Sequence, residues 1–159
     1  MTLSDQRSFV MWRALSLAFR GWCLAAMGDP CQGIPLITAG LAQVRDSGIL
    51  HVPHVLMLLG DAHRTAGQPE IALAHVIEAE QFAEATHCKW LQAEMLRSRG
   101  DLLLMIGDSA EAEASYLDAI SLAERQCARL FQLRASASLA GLWRDQGRHK
   151  EASGADDGK

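Results

Sequence analysis

With 159 residues and a formal charge of −4, from 15 basic and 19 acidic side chains, the chain is sized for one domain and lacks the basic excess that a broad nucleic-acid surface needs. A hydrophobic share of 49% against 21% charged residues excludes a self-repelling, disordered chain. Four prolines against an abundance of alanine and leucine point to helices throughout.

The first helix is predicted from Ser4, a capping residue type, to Met27, with Gly28 as its stop. Its apolar run from Phe9 to Met27 is interrupted by Arg13 and Arg20, so it reads neither as a membrane span nor as the core of a secretory leader. Asp29-Pro30 opens the second helix with a cap residue and a proline whose missing N–H costs nothing there. Gly33, Ile37, Gly40 and Val44 make its inward stripe. A glycine inside a helix costs about 0.5–1 kcal/mol relative to alanine, so two on one stripe predict close approach of another helix backbone. Pro35 predicts either a kink or a later helix start.

After Ser47-Gly48, Pro53 suits the first turn of a third helix, which runs to Ala66 and stops at Gly67. Gln68-Pro69 repeats the opening device, and the fourth helix continues to Thr86. The fifth is predicted from Cys88 to Ile106, followed by a break at Gly107. Asp108 or Ser109 caps the sixth, where Glu111 complements the helix dipole, and that helix ends near Gln126. The seventh runs from Ala128 to Gln146, Gly147 breaks it, and a stub begins at Arg148. This gives one helical domain over residues 1–152, with pairs at 4–47, 53–86 and 88–126 and an incomplete pair at 128–152. The tail 153–159 has no apolar stripe and is expected to be disordered. Cys23, Cys31, Cys88 and Cys127 have no C-x-x-C spacing and are expected to be packed thiols of a reducing, cytoplasmic setting.

The pattern repeats. Gly60, Gly67, Ala72, Val76, Ala79 and Ala83 match Gly100, Gly107, Ala112, Tyr116, Ala119 and Ala123 at a shift of 40, and Gly21, Gly28, Gly33, Ile37, Gly40 and Val44 at a shift of 39. Gly107 and Ala112 recur as Gly147 and Ala152. A fixed period of this size marks an array of helix pairs.

The small residue of each first helix (Gly21, Gly60, Gly100, Ala140) and of each second helix (Gly33, Ala72, Ala112, Ala152) resembles the tetratricopeptide-repeat pattern, with a period of about 40 instead of 34. Residues 93–104 and 133–147 resemble the C-terminal tetratricopeptide region of bacterial nucleotide-cyclase and AAA/STAND ATP-binding transcriptional regulators. The resemblance implies an all-α, right-handed superhelix of antiparallel helix pairs. It also implies a concave groove lined by the first helices, at Trp22, His54, Met57, Asp61, Arg64, Glu94, Arg97, Asp101, Arg134 and Arg144, with Ala137 and Gly141 on the same line. Arg64, Arg97 and Arg134 have the chemistry to clamp a peptide carboxylate. The competing reading pairs them internally, since Asp61–Arg64 and Arg97–Asp101 have helical ion-pair spacing. Trp22 is either a packing residue or a ligand anchor.

No Gly-x-x-x-x-Gly-Lys-Ser/Thr motif, zinc spacing or nucleophile elbow occurs, so no cofactor, metal or catalytic residue is expected. Glu111 and Glu113 read as a solvated helix face. The final helix is expected to expose Leu139, Leu142 and Trp143 as a self-association surface, making a homodimer possible. The function expected is that of a non-catalytic interaction module, binding a protein, a peptide or domains of a parent protein, without nucleic acid or membrane. The alternative from another class is a small-molecule sensor domain governing a cyclase, ATPase or transcriptional output.

Overall fold

The structure is a computed structural model and describes residues 3–47, 49–149 and 151–152, with side chains from residue 10 onward except 47 and 49. Among these residues it is all-α: α1 (Leu3–Ala26), α2 (Pro30–Ser47), a single 3₁₀ turn (Ile49–His51), α3 (Val52–Thr65), α4 (Pro69–Ala85), α5 (Gln92–Met105), α6 (Ser109–Arg125) and α7 (Arg129–Asp145). Neighbouring helices pack on one another. Most boundaries fall within a residue or two of expectation. The exception is α5, which starts at Gln92 and not Cys88, because the Cys88 amide closes the end of α4 on the Ala83 carbonyl at 2.9 Å. No helix among the described residues is long and apolar enough to cross a membrane. The chain divides into two compact units, residues 1–88 and 89–159.

In the first unit α1 packs on α2 and α3, and α3 packs on α2 and α4. The two inward glycines of α2 explain how closely α1 lies. A methyl built on Gly21 would sit 2.5 Å from the Gly33 carbonyl oxygen, one on Gly33 would overlap the Gly21 carbonyl, and one on Gly40 would sit 2.8 Å from the Ala14 carbonyl. Later positions on α2 thus meet earlier positions on α1, which fixes the pair as antiparallel. Asp29 caps α2 by accepting from the Gln32 amide at 3.1 Å. The helix runs unbroken through Pro35, so its start is not delayed. Ala14, Ala18, Ile37, Val44, Val55, Leu56, Val76 and Ala79 fill the interior.

In the second unit α6 packs on both α5 and α7, which also touch each other. Asp108 caps α6 by accepting from the Glu111 amide at 3.1 Å. Gly100 makes room for a ring: a methyl there would lie 2.5 Å from Tyr116. Tyr116 joins Ala112, Leu139 and Leu142 in a buried cluster with Leu103, Leu104, Ile120 and Trp143 against it. This corrects the expected exposed surface of α7. Leu139 and Leu142 are only 1% and 5% exposed, and Trp143 is half-buried, because that side of α7 faces α6. The large apolar residues α7 does expose are Leu130 and Leu133, each 66% accessible. Beyond α7, Ala152 donates to the Arg148 carbonyl at 3.1 Å and is buried, which gives the expected stub one helical turn. The tail 153–159 lies outside the described residues.

Six helices end in the same way. Gly28, Gly67, His87, Gly107, Cys127 and Gly147 all have positive φ, and each donates its amide three residues back while the next amide reaches five back. This double bond pattern satisfies the last free carbonyls of a helix. His87 and Cys127 stand 40 apart and hold the left-handed position with a side chain, at φ 54° in both. Cys23, Cys31 and Cys127 are exposed, which corrects the expectation of packed thiols; all four cysteines are free.

Candidate functional site

The expected site residues fall into separate clusters within each unit. In the first, Asp61 follows the close-packed Gly60 on α3. Its carboxylate accepts from the Trp22 indole of α1 at 2.7 Å and from two nitrogens of Arg64 at 2.6 and 3.0 Å. Trp22 therefore ties one first helix to the next, and the Arg64 fork is closed by an acid one turn before it on its own helix. His54 packs its ring edge against Phe19 at 5.4 Å, and Met57 is half-buried on the same helix. Burial, with a smaller contribution from His51, holds the His54 pKa below the ordinary histidine value.

Sequence reasoning did not single out His63 and His75, whose rings stack at 5.2 Å between α3 and α4. His63 contacts Gln68 at 2.8 Å, while Glu78 lies 3.9 Å from His75 and is paired with Arg45. Burial first, then the neighbouring His63, lowers the His75 pKa.

The second unit gathers Glu94, Arg97, Asp101 and Arg134 into one network. Arg97 donates to Glu94 at 2.8 and 3.1 Å and to Asp101 at 2.5 Å, so all three of its guanidinium nitrogens are engaged. Arg134 of α7 reaches the same Glu94 oxygen at 3.0 Å. Tyr116 donates to Asp101 at 2.8 Å, and Ser138 of α7 donates to the same oxygen at 3.4 Å. Burial opposes the charge of Arg97, yet the bonds and fields of Glu94 and Asp101 outweigh it and raise its pKa. Burial, then the Asp101 charge, pushes the Tyr116 phenol up. The internal-pairing reading thus describes Arg64 and Arg97. Arg134 differs, being half-exposed with one nitrogen on Glu94. The other Glu94 oxygen, Oε2, is buried and accepts no hydrogen bond from the described residues. Arg144 stands apart and donates to the Ala140 carbonyl at 3.2 Å.

A further cluster corrects the solvated reading of Glu113. It accepts from Trp143 at 2.8 Å and from Arg148 at 2.7 Å; Arg148 lies 5.1 Å over the Trp143 ring and also reaches Glu151 at 2.5 Å. The bond from Arg148, then that from Trp143, lowers the Glu113 pKa. Glu113 and Trp143 are 30 residues apart, so no local spacing in the sequence announces the contact. Glu111 is exposed, as expected.

No protein-family signature and no curated protein sequence matches this chain.

Proposed function

We propose that the chain is a non-catalytic protein-interaction module whose helix pairs wind as a right-handed, tetratricopeptide-like superhelix, and that its first helices receive a segment of a partner protein. The repeat period of 39–40 and the packing of first helix on first helix, α1 on α3 and α5 on α7, support the architecture. The observation that carries the binding reading is Arg134, whose side chain is half-exposed and gives one nitrogen to Glu94. The rest of its guanidinium can donate to a carboxylate or a free carbonyl of a partner segment. The module belongs in the cytoplasm, as part of a signalling regulator that it resembles.

Peptide display against the intact chain tests this. Selected peptides are expected to lose about tenfold in affinity on Arg134→Ala, a change worth about 1.4 kcal/mol, with the melting temperature held. Equal binding to wild type and variant would remove the Glu94–Arg134 face as the site.

A further inference from the structure

We infer that the outward side of α7 is a docking surface for an acidic, amphipathic helix of a partner protein; the inference rests on reading the chain as an interaction module and names its partner class. At 100° per residue, Leu130, Leu133, Arg134, Ala137, Gly141 and Arg144 fall on one face, opposite the buried Ala135, Leu139 and Leu142. That face runs about 21 Å along the axis. Its leucines are two-thirds exposed, whereas α3 exposes nothing before Thr65 and α5 nothing before Met105. The register explains the contrast: Leu133 stands where the array has Pro53 and Ala93, both buried.

Three features specify the occupant. The first is Gly141. Every other described glycine inside a helix has an atom of another helix within 3.2 Å of where its methyl would be, and for Gly21, Gly33, Gly40 and Gly60 that atom is a backbone carbonyl. A methyl on Gly141 would meet nothing. The chain's own packing has no use for this glycine, and elsewhere in the molecule such a glycine receives a helix backbone. The second is the straight line of Leu130, Leu133 and Ala137, which matches the i, i+3, i+7 ridge of a helix laid along it. The third is charge: Arg134 and Arg144 lie on the face, with Arg129 at one edge and Asp145 at the other, so the face is net positive and the complementary partner carries glutamate or aspartate beside its apolar stripe. A second copy of α7 would bring the same net positive charge to the face.

The test titrates two series of helical peptides, about six turns long, into the intact chain by fluorescence anisotropy. Both carry leucine at i, i+3, i+7 and i+10, one flanked by glutamate and the other by lysine. The glutamate series is expected to bind at least about tenfold more tightly than the lysine series. Gly141→Trp, which adds bulk where nothing stands, and Leu130→Ser with Leu133→Ser are each expected to abolish that binding without lowering the thermal melt. Equal binding by both series, or wild-type binding by Gly141→Trp, would overturn the inference. Concentration-dependent dimerisation lost in Gly141→Trp would also overturn it, by making a second copy the occupant. Glutamate peptides lost with Arg134→Ala but kept with Gly141→Trp would leave the interaction module standing and remove the outward side of α7 as its docking face.

Discussion

The two units solve one packing problem in two ways. In the first, Gly21 and Gly33 bring helix backbones into direct contact, and the aspartate after the next first-helix glycine, Asp61, is held by an indole and a partly exposed arginine. In the second, Gly100 faces a tyrosine ring, and the equivalent Asp101 is held by that tyrosine's hydroxyl and by Arg97, whose side chain is only 14% exposed. The same repeat position can thus be filled by backbone or by an aromatic side chain, and the second choice brings a buried polar network with it. The first unit is sensitive to volume and the second to charge.

Substitutions should expose that difference. The largest effect is expected from Arg97→Ala, which strands Glu94 and Asp101 without their shared cation; losses of about 3 kcal/mol are typical of breaking a buried pair. Arg64→Ala, at a more exposed pair, should cost about 1 kcal/mol or less. Urea denaturation of both variants checks the contrast, and equal losses would break it. Next comes volume. Gly33→Ala drives a methyl into a backbone carbonyl that cannot swing away, and overpacking of this kind costs about 1–3 kcal/mol. Gly100→Ala meets a side-chain ring and not a backbone carbonyl, so it should cost less, and the reverse order in melting temperature would show that the buried tyrosine is the more rigid neighbour. Tyr116→Phe removes only the hydroxyl donated to Asp101 and is expected to cost about 1 kcal/mol.

Acidification should separate the units again. His54 and His75 are both in the first unit, and both have pKa values depressed below 6.5 in the folded state. Their unfolded counterparts take up protons first, so stability is full above about pH 6.5 and falls as pH drops below it. Amide protection factors in α3 and α4, which correct for the intrinsic slowing of exchange at lower pH, should fall over that range, and His54→Gln with His75→Gln should flatten the response. An unchanged pH profile in the double variant would assign the acid sensitivity elsewhere. The smallest effect is a gain: Gly141→Ala, with open space around the new methyl, should stabilise the chain by about 0.5–1 kcal/mol.

Much of this architecture is written in the sequence because glycine does two jobs there. At Gly28, Gly67, Gly107 and Gly147 it ends helices, and at Gly21, Gly33 and Gly60 it admits a neighbouring helix; both uses recur at a shift of 39 or 40. The ends of α4 and α6 were read at Thr86 and near Gln126, but the left-handed backbone of His87 and Cys127 that makes those stops was not, because glycine is the residue that usually marks it. The inward side of α7 was legible but misread. Leu142 lies in register with Ala62 and Leu102, both fully buried, so the repeat itself places it inside. The polar clusters were half legible. Ion pairs three and four apart show in the sequence, while Trp22–Asp61, Tyr116–Asp101 and Trp143–Glu113 join residues whose meeting is decided by how helices stack.

The left-handed stops have a consequence for how such a chain tolerates lengthening. Each of these six helix ends is closed by its own last carbonyls and the two amides that follow, so its length is set locally. An extra residue placed just after Gly107 would be taken up in the turn, leaving the faces of α5 and α6 as they are. The same residue inserted after Val76 would rotate the rest of α4 by about 100° and carry Ala79 and Ala83 out of the interior. Growth and deletion in this chain are therefore confined to its turns, at intervals of roughly half a repeat.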